Sequence, residues 1–188
     1  MKISLGAKAF AYPTPVFVIG SYDEKGKANA MVAAWGGICS SDPVCITVSV
    51  REARQTYKNI CLKKAFTVSI PNEDNLKEAD YFGIYSGKNT DKFAETGLTP
   101  IKSDLVDAPY IKEFPLIIEC KLIKTVELGV HTQFIGEVVD IKCDREVTGD
   151  NGLPEIEKVR PVTYDPVLKR YYGIGRYLGK AFSIGKKD

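Results

Sequence analysis

One short stretch of the sequence combines side chains that can hold a flat heteroaromatic ring. Residues 29–35 read NAMVAAW, which brings an amide, small side chains and the single tryptophan of the chain together. Backbone amides left accessible by small residues can hydrogen-bond ring oxygens and nitrogens, and Trp35 can supply an apolar wall, although alone it fits an ordinary core residue. The candidate residues are Asn29, Ala30, Met31, Val32, Ala33 and Trp35, followed by a predicted turn, residues 39–43, with Cys39, Ser40 and Ser41.

Two polar segments can receive a phosphate group. Residues 51–56 (REARQT) follow a predicted strand and open a predicted helix. Free backbone amides, the Arg54 guanidinium and the Thr56 hydroxyl therefore lie close together at that point. Residues 85–93 (YSGKNTDKF) combine glycine with two lysines, including Lys92, and a helix-start aspartate. Each segment alone also fits a solvated cap or loop, so the prediction depends on their combination.

The chain contains one histidine, His131, and this excludes several kinds of active site. His-rich zinc sites and the two-histidine-one-carboxylate iron site cannot be built from one chain. A serine or cysteine hydrolase would need His131 as its base, yet no Gly-x-Ser-x-Gly turn is present. Residues 173–179 (GIGRYLG) misplace the third glycine of a Rossmann loop, and no P-loop occurs. A nucleotide-like ligand must therefore be held by another geometry.

The charge balance favours a small-molecule ligand. The 188 residues include 26 basic and 24 acidic side chains, for a formal net charge of +2 at pH 7. No electrostatic footprint predicts a nucleic-acid or membrane partner. The first residues lack an apolar signal segment, and no apolar stretch approaches about 20 residues. We therefore expect a soluble, cytoplasmic protein whose five cysteines are reduced and mostly buried.

Short β-rich runs dominate the pattern along the chain. Strands are predicted at residues 16–22, 44–50, 66–70 and 171–174, and a hairpin through 127–130 joins longer strands at 116–126 and 132–143. Helices are predicted at 55–64 and 72–81. Few helices and no alternation of strand with helix favour a closed antiparallel barrel with peripheral helices. Residues 144–166 are predicted as a surface excursion of a single domain spanning 1–188.

Taken together, these segments resemble the flavin-reductase-like family of FMN-binding split barrels, and most closely its flavoredoxin branch. The resemblance covers nearly the whole chain and implies a mainly β fold of Greek-key type. Its most specific stretches, in chain order, are residues 29–35 with 40–43, residues 86–93 (SGKNTDKF), residues 131–138 (HTQFIGEV), and residues 171–173 with 178–182.

The resemblance implies a homodimer with one FMN in each subunit. Asn29, Trp35 and His131 would then surround the isoalloxazine ring. Thr56, Lys92 and Arg54 would face the phosphate or the ribityl chain. Tyr164, ahead of Asp165-Pro166, falls where relatives carry an aromatic residue near the flavin. Beside the isoalloxazine ring, the His131 side chain can hydrogen-bond a ring oxygen or stabilise negative charge on the reduced ring.

Three functions remain open at this level. The first is an FMN electron carrier or oxidoreductase of flavoredoxin type, which exchanges electrons with a redox protein. The second is an NAD(P)H-dependent flavin reductase that supplies reduced flavin to a partner enzyme. The third is a ligand-free barrel that binds oligonucleotides, which the nearly balanced charge disfavours because stacking platforms come with a basic groove.

Overall fold

The computed structural model describes residues 1–186, and its centre is a seven-stranded antiparallel sheet. The strands are β1 (Thr14–Pro15), β2 (Phe17–Tyr22), β3 (Ala28–Ala33), β4 (Gly36–Ser41), β5 (Val44–Val50), β6 (Ala65–Ile70), β7 (Pro100–Lys102), β8 (Pro109–Ile111), β9 (Leu116–Leu128), β10 (His131–Cys143), β11 (Val162–Asp165) and β12 (Arg170–Gly173). The helices are α1 (Gln55–Lys63), α2 (Leu76–Ile84), α3 (Lys92–Thr96) and α4 (Ile156–Val159), with short 3₁₀ turns at Glu73–Asn75 and Arg145–Val147.

The strand order of the main sheet leaves it open between two edge strands, so the closed barrel expected from the sequence is corrected to a split one. The order is β3-β2-β6-β9-β10-β5-β4, so β3 and β4 form the two edges. Only Ala34 and Trp35 connect these edge strands in the sequence, so the chain passes directly from one edge of the sheet to the other. The Trp35 carbonyl accepts a hydrogen bond from the Ser49 amide at 2.8 Å, which fixes this junction.

Alternation along the strands produces two apolar layers. Side chains on one face, such as Ile19, Met31 and Ile118, fill the barrel interior together with Ile60 from α1. Their sequence neighbours point to the opposite face, as period-two alternation requires. There they pack against α2, α3 and the β8 region, in a cluster formed by Val18, Ala30, Ala79, Phe82, Phe93, Leu98, Ile111, Phe114 and Ile117. The helices thus cover one side of the barrel.

Gly136 allows the closest approach inside the barrel. A Cβ atom at this position would lie 2.6 Å from the Phe66 ring and 2.9 Å from the Cys120 Cβ. Strands β9 and β10 also shift register between Ile135 and Gly136. Glycine is therefore required where the β10 backbone passes over the Phe66 ring.

A second, three-stranded sheet carries residues that reach the barrel's split. Its order is β1-β11-β12, and β11 pairs with β12 as a hairpin. The Asp165 carboxylate accepts hydrogen bonds from the Val167 and Leu168 amides at 2.9 and 3.2 Å and from the Tyr12 hydroxyl at 2.6 Å. These bonds hold the turn after β11 in one conformation.

Most sequence predictions of elements are confirmed, and three need correction. The turn predicted at residues 39–43 is wrong, because residues 39–41 belong to β4 and only Asp42-Pro43 turn the chain. The surface excursion predicted at 144–166 contains β11 and the buried side chains Val147 and Val159. The five cysteines are all unpaired, but only Cys45 and Cys120 are buried. Within residues 1–186, no helix is long and apolar enough to cross a bilayer.

Candidate functional site

The largest group of predicted site residues meets at a cleft beside the barrel's split. Its volume is about 580 Å³. One wall is the end of β3 with the junction to β4, and the other comes from β5, the loop before α1, the start of β10 and the turn between β11 and β12. The lining residues are Met31, Val32, Ala33, Ala34, Trp35, Ser49, Arg51, Arg54, His131 and Lys169. We call this the central cleft.

The central cleft is electropositive. Arg51, Arg54 and Lys169 line it, and no carboxylate does. His131 is partly buried, and burial together with the nearby Arg51 charge lowers the pKa of its imidazole below the usual 6.5. His131 is therefore neutral at pH 7 and can donate or accept one hydrogen bond without adding charge. Such a lining suits an anionic ligand with polar atoms along a ring edge.

A smaller polar cavity of about 170 Å³ lies close by on the same strand. Its buried corner is formed by Asn29, whose side-chain amide donates to the Thr56 hydroxyl at 2.9 Å. The loop before α3 reaches this corner through Gly87, where a Cβ atom would collide with the Asn29 carboxamide oxygen. Only glycine lets this loop approach Asn29 so closely. We call this the Asn29 cavity.

Lys92 places a buried cation on the wall of the Asn29 cavity. Its side chain is 4% exposed, and Nζ donates to the Phe82 carbonyl at 3.2 Å and lies 5.5 Å from the centre of the Phe82 ring. Burial, and secondarily the Arg54 charge, lower the pKa of Lys92 to about 8. An ammonium group has three protons to donate, and no carboxylate pairs with Lys92 among residues 1–186. The site therefore holds a buried charge that lacks a counterion.

The first turn of α1 adds unpaired backbone donors between the two cavities. Arg54 is the N-cap residue, and no side chain caps the helix. No acidic residue occupies its first turn. The exposed Arg54 side chain lines the central cleft, and its charge acts on Lys92 in the neighbouring wall. Helix amides, a guanidinium and a buried ammonium together form an anion-binding corner.

Comparison with known proteins decides the family. The flavin reductase like domain matches residues 9–167. The chain belongs to the flavin reductase like family. It is 54% identical to the flavoredoxin of Desulfovibrio vulgaris (Miyazaki F), with a TM-score of 0.95 over 99% of this chain and 100% of that one. The flavoredoxin from Methanosarcina acetivorans is 31% identical, with a TM-score of 0.93 over 99% and 98%.

A third relative is a longer protein, and only part of it is similar to this flavin reductase like chain. The high molecular weight rubredoxin of Moorella thermoacetica is 34% identical over 114 residues, which are 60% of this chain and 48% of that protein. The matched part thus makes up about half of the relative.

Most candidate residues of this flavin reductase like chain come together in the structure. Met31, Val32, Ala33, Trp35, Arg54 and His131 line the central cleft. Asn29 and Lys92 line the Asn29 cavity, and Thr56 is joined to it by its bond with Asn29. Tyr164 lines a third cavity, which shares Val32, Ala34 and Lys169 with the central cleft.

Four candidate residues lie elsewhere. The Ala30 side chain is fully buried in the outer core layer, so only its backbone can face a ligand. Cys39, Ser40 and Ser41 lie on edge strand β4, where a bulge between Ile38 and Ser40 leaves Cys39 unpaired, and none of the three lines the central cleft. Their role in binding stays a prediction.

Several further residues of the site carried no individual assignment from the sequence. Ser49, Arg51 and Lys169 line the central cleft, and Gly87 touches Asn29. Arg51 lies three residues before Arg54 and faces the same cleft, so a second cation in that loop was a usable signal. Lys169 had no local signal, because the β11–β12 hairpin brings it to the cleft through tertiary packing.

Proposed function

We propose that this chain is an FMN-binding flavoprotein of flavoredoxin type, which carries electrons or acts as an oxidoreductase through bound FMN. The observation that carries the proposal is Lys92, a buried ammonium that has no counterion among residues 1–186 and lies beside the first turn of α1. A phosphate monoester is close to a dianion at neutral pH, and it would compensate Lys92, Arg54 and the helix amides together.

The remaining residues fit the other parts of FMN. The Asn29 cavity adjoins the anion corner, and the Thr56 hydroxyl there can bond the phosphate or the ribityl chain. The central cleft, at about 580 Å³, offers a flat ring the β3 backbone on one side and Trp35 on another. A neutral His131 can hydrogen-bond the polar edge of that ring. When bound, the flavin supplies the redox chemistry by accepting a hydride or single electrons.

The relatives support this function over its alternatives. The two flavoredoxins match nearly the full length of this chain, one of them at 54% identity. A match to half of a protein named a rubredoxin supports a redox protein as the electron partner. The second possibility, an NAD(P)H-dependent flavin reductase, uses the same cofactor, and kinetic measurements separate the two.

We also infer a homodimer in the cytoplasm. Exposed apolar side chains occur on four neighbouring strands, β4, β5, β10 and β9, namely Ile38, Val44, Val139, Ile141 and Ile123. A second copy of the chain would cover such a surface. The five unpaired cysteines support a reducing compartment. Sedimentation velocity tests the dimer, and a monomer at micromolar concentration would contradict it.

The first experiment compares FMN with riboflavin, which lacks the phosphate. Apo protein is titrated with each flavin while the Trp35 fluorescence and the flavin spectrum are followed. We expect FMN to bind at least about tenfold more tightly, because charge-assisted hydrogen bonds to the phosphate are worth about 1.5–3 kcal/mol. The Arg54→Met variant should lose affinity for FMN and keep that for riboflavin.

Two outcomes would contradict the proposal. A folded protein that binds neither flavin would remove the function, and equal affinity for FMN and riboflavin would remove the phosphate site. With FMN bound, anaerobic NADH or NADPH then tests the partner. Slow bleaching without turnover supports the carrier, whereas rapid multiple turnover dependent on free flavin identifies a flavin reductase.

A further inference from the structure

A groove beside α3 continues the line of cavities that follows β3. The central cleft lies against residues 31–35, at the end of β3, and the Asn29 cavity lies against residues 28–29, at its start. The groove has a volume of about 400 Å³ and shares Lys27, Ala28 and Phe93 with the Asn29 cavity. We call it the α3 groove. It therefore lies past the phosphate end of the proposed FMN site.

The size and walls of the α3 groove suit a nucleoside. Pockets for small molecules begin at about 300 Å³, and the groove exceeds that volume. Leu98, Pro100 and Ala94 give it apolar walls. FAD consists of FMN joined through its phosphate to AMP. With the flavin half in the central cleft and its phosphate in the Asn29 cavity, the AMP half of FAD would extend into the α3 groove.

An ion pair stands at the boundary between the Asn29 cavity and the α3 groove. The Lys27 Nζ atom lies 3.0 Å from the Asp91 Oδ2 atom. Lys27 lines both cavities, whereas Asp91 lines the groove and not the Asn29 cavity. The pair thus spans the shared wall. The second phosphate of FAD would have to pass this pair to bring AMP into the groove.

The backbone holds both partners of the ion pair in place. The Asp23 carboxylate accepts hydrogen bonds from the Lys25 and Lys27 amides at 2.9 and 2.8 Å, which fixes the turn that carries Lys27. Asp91 is the N-cap residue of α3 and accepts a hydrogen bond from the Ala94 amide at 3.2 Å. The hydrogen bond from Lys27, together with the Ala94 amide, lowers the pKa of Asp91. Asp91 is therefore a carboxylate at neutral pH.

We propose that the Lys27–Asp91 ion pair makes the flavin site selective for FMN over FAD. The second phosphate of FAD is an anion and would meet the Asp91 carboxylate, while the Lys27 ammonium that could compensate it is already paired. FMN ends at its first phosphate and leaves the pair intact. The inference rests on the proposed function, because FMN is the proposed ligand of the neighbouring cavities. Asp91 acts here as a specificity-determining residue.

The first test compares the affinities for FMN and FAD in Asp91→Asn. Asparagine keeps the helix cap but removes the charge, so Lys27 becomes free for the second phosphate. The unaltered protein should bind FMN more tightly than FAD, and Asp91→Asn should narrow the difference about fivefold, the upper value for an exposed ion pair. Glu95→Gln is the matched control, because it removes one exposed carboxylate from the same helix and Glu95 lines neither cavity. It should leave the ratio of the two affinities unchanged.

A second variant tests where the AMP half lies. Ala94 is exposed and lines the α3 groove but not the Asn29 cavity. Added to Asp91→Asn, the substitution Ala94→Phe should fill the groove and remove the gain in FAD affinity, while the affinity for FMN is retained. AMP alone serves as a probe of the groove without any flavin. Saturation-transfer NMR should detect AMP on Asp91→Asn and not on the double variant.

Three results would overturn the proposal. The first is an unaltered protein that binds FAD as tightly as FMN. The second is an equal shift of the affinity ratio in Asp91→Asn and Glu95→Gln, which would reduce the effect to net charge. The third is a gain in FAD affinity that survives Ala94→Phe, because the AMP half would then lie outside the α3 groove. Failure of the proposed function is seen separately, as an unaltered protein that binds neither flavin, and the AMP signal still reports on the groove in that case.

Discussion

Replacing Lys92 by methionine should make the apo protein more stable and the flavin site weaker. The pKa of Lys92 falls from 10.5 to about 8, so burial of the charged form costs about 3 kcal/mol at neutral pH. Methionine removes that cost, but it leaves the Phe82 carbonyl without its hydrogen-bond donor. This loss lowers the free energy of unfolding by about 1–2 kcal/mol. We therefore expect Lys92→Met to raise the free energy of unfolding of apo protein by about 1–2 kcal/mol.

The same substitution should lower the affinity for FMN by about tenfold to a hundredfold, because the phosphate loses a charge-assisted hydrogen bond. Urea unfolding at pH 7 measures the stability, and titration followed by Trp35 fluorescence measures the affinity. Lys77→Met, at an exposed position of α2, is the matched control and should change neither quantity. A less stable apo protein that binds FMN normally would refute the assignment of Lys92 to a phosphate site.

The pH dependence of stability gives a second test of Lys92. Between about pH 8 and 10.5 the unfolded chain keeps the Lys92 proton that the folded chain has lost. The unfolded state therefore binds more protons, and this group's contribution makes the free energy of unfolding rise with pH across that window. Lys92→Met should lose the rise. A slope that is equal in both proteins would show that Lys92 titrates near its ordinary pKa.

Three further predictions concern other parts of the site. Gly87→Ala should weaken FMN binding by about tenfold, because the added Cβ collides with the Asn29 side chain that holds Thr56. Gly37→Ala is the control and should have no effect, since a Cβ there meets nothing within 4 Å. His131→Ala should lower the midpoint potential of bound FMN by about 20–30 mV in a dye-mediated redox titration, which corresponds to the loss of one hydrogen bond in a two-electron couple. An unchanged potential would place His131 away from the ring. A thiol reagent should modify exposed Cys39 first and spare buried Cys45, whose pKa is raised by burial, with peptide mapping as the check.

The sequence predicted the elements with clear local patterns and missed those that depend on tertiary contacts. Strand β5 was predicted with its observed bounds, since its seven residues are almost all β-branched or apolar. Strand β4 was missed because glycines, a cysteine and serines give no strand pattern, and only pairing with β5 makes it extended. Strand β11 was hidden in a polar segment for the same reason.

The candidate site shows a similar division. Residues within one segment, such as Met31 and Trp35, could be grouped because a short stretch of backbone must bring them to one place. The contact of Asn29 with Thr56 and the exposure of Lys169 to the cleft span far longer separations, and no local pattern encodes them. The counterion-free state of Lys92 was also beyond sequence reasoning, since it depends on how deeply α3 packs.

The sheet order has a consequence for synthesis of the chain on the ribosome. Strands β5 and β6 are consecutive in the sequence, yet the β9–β10 hairpin separates them in the sheet. A nascent chain that has released β6 but not residues 116–143 therefore presents two strand edges whose partners do not yet exist. Unpaired edges of this kind invite pairing with other chains. Emergence of the β9–β10 hairpin is thus the step that joins the two halves of the barrel and ends this exposure.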